Sequence, residues 1–265
     1  MVCEIPEAIR QLCDSGAIFY VSHSGGKDSQ AMYLRLRQVI PSEQIVVVHA
    51  DLGEVEWPGI VGHINDTISH RLNIVRAGKT FLGMVEKRGM WPSARYRQCT
   101  SDLKRGPIEK FIRADMRVRG DGMAVNCIGL RAEESTARAA RQPFRERPDL
   151  TTKNRKVWDW LPVFSLTTQQ VFATISAAAQ QPFWAYEVNE RISCVFCFMA
   201  SRNDLRNGAM NNPVLYRRYV EMERRIGHTL FTQAKRPVSL EAYIGIPISD
   251  ISSLDWADHN NVQMC

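Results

Sequence analysis

No apolar run in this chain is long enough to cross a bilayer, so no membrane partner is expected. The first residues, MVCEIPEAIR, lack the basic-then-apolar order of a secretory leader, and a cytoplasmic location is expected. Repeats, heptads and low-complexity tracts are missing, which argues against solenoids and coiled coils. The two commonest nucleotide-binding glycine patterns, G-x-x-x-x-G-K-[ST] and G-x-G-x-x-G, are also absent. The seven cysteines (Cys3, Cys13, Cys99, Cys127, Cys194, Cys197 and Cys265) are odd in number, which argues against a disulfide framework. They point instead to a reducing compartment, where grouped cysteines bind metal or do redox chemistry.

What is present is an ordinary globular balance: 265 residues, 45% hydrophobic and 23% charged, with a formal net charge of +6. That length accommodates one large α/β domain or one domain with an appendage. The positive charge is compatible with an anionic partner but by itself describes no more than a basic surface.

Strand and helix patterns alternate. AIFYVS, EQIVVVHADLG, NIVRAG and MAVNCIGL are short, β-branched, mostly continuous apolar runs, as expected of parallel strands covered on both faces. Between them lie helical patterns, including DSQAMYLRLRQVI and the basic CTSDLKRGPIEKFIRADMRVRG, where Gly106-Pro107 is a candidate break. RAEESTARAA opens another helix, 141–156 is expected to be a long exposed loop, and VWDWLPVF an edge strand. Ser165 or Thr167 would cap the helix that follows. The alternation predicts a doubly wound parallel sheet with helices on both faces over 1–180, and a mostly helical part carrying C-x-x-C over 181–265, packed on the first.

At the first strand-to-helix junction stands SHSGGKDS. Gly25 and Gly26 let backbone amides surround an anion, and the helix N-terminus adds positive potential. Ser22, Ser24 and Ser29 lie on or beside the loop, and Lys27 is placed to neutralise charge on a departing phosphate. Asp28 either caps the helix or helps hold Mg²⁺. A second candidate anion site follows the strand ending at Gly129. There Arg131 and Arg138 flank Glu134 and Ser135, and paired guanidinium groups can clamp a phosphate. Glu133 and Glu134 would orient those arginines or reach Mg²⁺.

These motifs carry a resemblance. SGGKDS is similar to the pyrophosphate loop of ATP pyrophosphatases of the adenine nucleotide alpha-hydrolase type. GLRAEESTARA resembles the G-x-R-x-x-x-S-x-x-R segment of phosphoadenylylsulfate (PAPS) reductases, and WLPVFSLTTQQVF the segment after it. VHADLGEVEWP resembles the second strand of the same family, with Asp51 as its terminal acid. The resemblance runs from about residue 15 to about 230. It implies ATP as cofactor, with catalytic roles for Lys27, Asp28 and Arg131. It also implies that Cys99, ahead of T-x-x-L-K, joins Cys194 and Cys197 on a [4Fe–4S] cluster. Only three ligands match, so a fourth comes from elsewhere or one iron stays open; zinc or free thiols are the alternatives.

PAPS reductases that need no ATP have a degenerate first loop, and this chain keeps Lys27, Asp28 and Ser29. The C-terminal Glu-Cys-Gly-Leu-His segment of those reductases is absent. The leading expectation is therefore an ATP pyrophosphatase that adenylylates a substrate oxygen for sulfur insertion, closest in type to the enzyme of DNA phosphorothioation. Expected partners are a sulfur donor such as a cysteine desulfurase and DNA or tRNA, in a homo-oligomer or larger complex. The nucleic acid would meet two basic groups, Lys104, Arg105, Lys110, Arg113, Arg117 and Arg119, then Arg141, Arg145, Arg147, Lys153, Arg155 and Lys156. Tyr96, Phe144 and Trp158 are nearby for stacking. The alternatives are a phosphoadenylylsulfate or adenylylsulfate reductase, a tRNA thiolase, and a non-catalytic nucleotide-binding subunit.

Overall fold

The computed structural model describes residues 5–251. Cys3 and Cys265 lie outside the described residues. In chain order the elements begin with α1 (Glu7–Asp14), β1 (Ile18–Ser22), α2 (Lys27–Leu36), β2 (Ile45–Ala50), α3 (Ile60–Thr67), β3 (Leu72–Val75) and α4 (Phe81–Arg88). There follow α5 (Gln98–Thr100), α6 (Gly106–Val118), β4 (Gly122–Ile128), α7 (Thr136–Ala139), β5 (Phe144–Glu146), β6 (Arg155–Trp160) and α8 (Thr168–Ala177). The last part holds α9 (Arg202–Asn211), α10 (Pro213–Ile226), the hairpin β7 (Phe231–Gln233) and β8 (Arg236–Val238), α11 (Leu240–Ile244) and α12 (Ile248–Ile251).

The main sheet has the order β3-β2-β1-β4-β6-β5, parallel except for β5. Side chains of the central strands alternate between its two faces, as the two-residue period of a strand requires. Phe19, Val21, Val47, Val125 and Cys127 pack with residues of α1, α2 and α8. Tyr20, Val46, Val48 and Ala124 pack with Ile112 and Met116 of α6 on the other face. After β1 the chain winds outward through β2 and β3, then crosses back to place β4 on the other side of β1. The crevice where the direction reverses lies between the ends of β1 and β4, the usual ligand position in such sheets.

Three expectations need correction. First, VWDWLPVF does not form the edge: β6 is covered by β5, which pairs antiparallel with Phe144 opposite Trp160. The segment expected to be loop thus contributes the edge strand. Second, RAEESTARAA does not form one helix. A 3₁₀ turn over Ala132–Glu134 ends at Ser135, whose extended backbone then caps the four-residue α7. Third, Gly106-Pro107 does not break its helix. The ladder between α5 and α6 widens to a π turn over Ser101–Arg105 and continues through the proline. Thr167 is the residue that caps α8, in a reciprocal pair with Gln170.

Residues after 180 share a core with the segment after β2. Phe196, Leu205, Tyr216 and Tyr219 pack with Trp57, Phe81, Val85 and Trp91. The Val195 amide also donates to the Val55 carbonyl, which fastens the C-x-x-C segment to the carboxyl-end rim of the sheet.

Candidate nucleotide and thiol site

The loop after β1 is shaped by two close approaches. Gly25 has φ +75°, and a side chain there would meet Ile60 Cδ1 at 2.4 Å. A Cβ on Gly129, at the end of β4, would stand 3.0 Å from the Ser29 amide nitrogen. The β4 end therefore rests directly on the first turn of α2. Ser29 Oγ donates to the Gly26 carbonyl and accepts from the Ser24 amide, which closes the loop on itself. Lys27 is buried, with its Nζ 3.3 Å from Asp28 and 5.1 Å from the centre of the Tyr186 ring.

The loop opens on a cavity of about 930 Å³, whose wall includes Ser22, Ser24, Gly26, Asp28, Ser29, Gly129, Glu134, Ser135 and Arg138. The structure thus places nine of the thirteen predicted nucleotide residues in the wall of this crevice, and Lys27 and Arg131 reach it through Asp28. Gly25 shapes the loop from behind. Arg131 does not extend freely toward an anion. Its guanidinium is buried, with Nε donating to Asp28 at 2.6 Å and the other nitrogens to Glu133, Leu166 O and Thr168. Burial opposes its charge, but Asp28 and Glu133 outweigh it and hold the guanidinium firmly ionised. Arg138 is paired with Glu134. The second site is therefore a carboxylate-buttressed wall rather than an open clamp.

Asp28 does not cap α2; Gly26 holds the cap position without a side-chain bond. One Asp28 oxygen faces Arg131 and the other faces Lys27. Asp51 stands apart from the large cavity, in a smaller one of about 290 Å³ with Glu54 and Glu56. Burial raises its affinity for a proton, but the Gly53 amide and Arg76 prevail and keep its pKa below the ordinary value.

Several residues were not singled out from sequence. Tyr186, in a 3₁₀ turn over Trp184–Glu187, places its hydroxyl 3.0 Å from the Lys27 amide, inside the loop. Burial raises its pKa. His23 is buried, accepts from the Gly25 amide, and is held neutral with a pKa of about 3 by burial and by His49 and His63. His49 lies 3.0 Å from Glu56. Burial lowers its pKa, yet the Glu56 carboxylate outweighs this and raises it overall. A seven-residue spacing across a strand end carries no pattern that would mark the His49–Glu56 pair.

Cys99 packs against the same hydrophobic cluster as Cys194, and it interacts electrostatically with Cys194 and Cys197. Burial pushes the Cys99 thiol up. In the Cys194–Cys197 pair, donation from Cys194 and Ser193 favours the thiolate on Cys197, while Cys194 is driven up. The three sulfurs do not converge as tightly as ligands of one ion: among the described residues, the group that does is His49, Asp51 and Glu56. A tetrahedral zinc with bonds of about 2.3 Å needs its sulfurs about 3.8 Å apart. The buried Tyr219 hydroxyl has no hydrogen-bond partner, and its acidity is suppressed by burial and by Cys194, Cys197 and Cys99. Thr100 and Ser193, the chain neighbours of Cys99 and Cys194, line the large cavity together with Lys104 and Ile192.

The basic groups divide. Arg105, Lys110, Arg117, Arg119, Arg141, Arg145, Lys153 and Lys156 are exposed. Arg147 and Arg155 are buried and correct the expectation that they face nucleic acid: Arg147 is tied to Glu109, Asp149 and Asp159, and Arg155 to Leu150 O and Asp121.

Residues 18–184 match the family described as phosphoadenosine phosphosulfate reductase domain. An uncharacterized protein of Methanocaldococcus jannaschii is 25% identical over 202 residues, 75% of this chain and 40% of that protein. An uncharacterized 37.8 kDa protein of Escherichia phage 186 is 27% identical over 161 residues, 60% of this chain and 47% of that protein. The chain thus spans less than half the length of these curated relatives. The crystal structure of PAPS reductase from Candida auris, a phosphate complex, aligns with a TM-score of 0.46 at 13% identity, covering 71% of this chain and 86% of that one.

Proposed function

The chain belongs to the phosphoadenosine phosphosulfate reductase domain family, and on that premise we propose that it is an ATP pyrophosphatase that activates a substrate oxygen for replacement by sulfur. The observation that carries this reading is contiguity. A loop with intact Lys27, Asp28 and Ser29 opens on the same cavity whose wall includes Thr100 and Ser193, the chain neighbours of Cys99 and Cys194.

ATP would enter with its β and γ phosphates at the loop. The Gly26 and Lys27 amides and the α2 N-terminus favour their charge there. A substrate oxygen attacks the α phosphorus, the bond to the bridging oxygen breaks, and pyrophosphate leaves. Lys27 stabilises the charge that grows on this leaving group. Asp28 and Arg131 hold Lys27 and the β4 end in position. The adenylylated oxygen then departs as part of AMP when a sulfur nucleophile displaces it. Cys99, Cys194 and Cys197 would hold the iron-sulfur cluster, which when bound supplies a site for sulfur or electrons. The exposed arginines and lysines, with Tyr96, fit a polyanionic acceptor such as DNA or tRNA.

The test offers ATP and PAPS separately to anaerobically purified protein. AMP and pyrophosphate from ATP support the reading; sulfite from PAPS without ATP cleavage overturns it. Lys27→Ala should lower ATP turnover at least 100-fold while leaving the melting temperature nearly unchanged. A reductase acting on PAPS is the second reading, favoured by the family itself.

A further inference from the structure

We propose that His49, Asp51 and Glu56 form a binding site for a divalent transition-metal ion on the β2 side of the crevice. Their ligand atoms all lie within 4.8 Å of one another. His49 Nδ1 lies 2.9 Å from the His23 carbonyl, which can only accept, so Nδ1 carries the proton. Nε2 is thereby the ring nitrogen that faces the Glu56 carboxylate, 3.0 Å away. A proton bridges the two in the metal-free chain, and a metal ion would displace that proton and take its place. Two bonds of about 2.1 Å at a right angle put cis ligands ~3.0 Å apart. A metal-bound histidine typically donates its other ring nitrogen to a backbone carbonyl, as here.

The fold supplies the rigidity such a site needs. His49 is a β2 residue, buried between β1 and β3. Asp51 is fixed by the Gly53 amide at 2.6 Å. Glu56 closes the 3₁₀ turn Gly53–Val55. Three protein ligands leave positions open, and His49 and Glu56 both line the large cavity. One imidazole with two carboxylates suits Mn²⁺, Fe²⁺ or Zn²⁺ better than the all-oxygen shell that Mg²⁺ prefers. A phosphate oxygen in the cavity is the ligand class that fits an open position. That last point rests on the reading of the cavity as a nucleotide site; the metal site itself does not. Arg76 is the resident competitor: it reaches the Asp51 carboxylate from solvent at 2.6 Å.

Mn²⁺ alone tests this, because it avoids thiolates and leaves the cysteine group out of the readout. Titrating Mn²⁺ into the full chain without nucleotide, with free Mn²⁺ followed by electron paramagnetic resonance, should show one ion per chain. Glu56→Gln and Asp51→Asn should each weaken it at least tenfold. Arg76→Ala, at an exposed position that leaves the core intact, should tighten it about threefold. Absence of binding to the wild-type chain would mean that His49 and Glu56 form a plain imidazolium–carboxylate pair, and would overturn the proposal. Equal affinity in all four proteins would overturn it as well. Neither result bears on ATP cleavage, which is measured separately.

Discussion

A methyl group on Gly129 would meet Ser29 N at 3.0 Å and the Asp28 carbonyl carbon at 3.1 Å, both backbone atoms of the first α2 turn. Backbone cannot swing aside as a flexible side chain can. Gly129→Ala should therefore cost about 1–3 kcal/mol in thermal or urea unfolding. It should also weaken ATP binding measured by calorimetry, since the loop moves with α2. The sequence marks this glycine through its neighbours in GLRAEES but not its role, which is to let two elements touch. Arg131 teaches the same lesson in reverse. Its place after a strand is legible, whereas its partner Asp28 lies over one hundred residues earlier, and only the β1–β4 adjacency brings them to 2.6 Å.

Among the elements, β1, β2 and β4 announce themselves because both faces are covered and their residues are mostly apolar or small, with His49 and Asn126 as the polar exceptions. The three-residue β5 does not, because Phe-Arg-Glu is too short for a period and its charges read as solvent-facing. The charges of this edge are in fact satisfied inward: Arg145 and Arg147 both reach Asp159 on β6, and Asn126 of β4 donates to the same carboxylate. Removing one partner strands the others in a buried setting. Arg147→Met should destabilise by about 3–5 kcal/mol in urea unfolding, and adding Asp159→Asn should recover part of that loss.

Across the whole molecule, α10 is the spine on which the last third is assembled. Buried Glu223 accepts from the Leu230 and Leu240 amides and so joins α10 to the hairpin and to α11. Burial raises its pKa against those two donors, so the folded state holds this proton more tightly than the unfolded chain. Stability from this group is then fully present below the ordinary carboxylate value of about 4.3 and is lost as pH rises from there through the elevated folded value. The difference between wild type and Glu223→Gln in urea midpoint should show that slope across the acidic range and flatten above it. The meeting of Cys99 with Cys194 and Cys197 also belongs to this scale. Local pattern cannot give it, because it depends on a shared core built from two distant stretches of chain. The Tyr186 contact has a consequence of its own. An anion that takes the Lys27 amide must take it from the Tyr186 hydroxyl. Trp184, two residues earlier, stands edge-on to buried Trp57 at 5.6 Å. Displacing Tyr186 should therefore disturb the adjacent indole pair, and a change in intrinsic tryptophan fluorescence on titration with ATP is the outcome that checks it; an unchanged signal on saturation would show that the two contacts are independent.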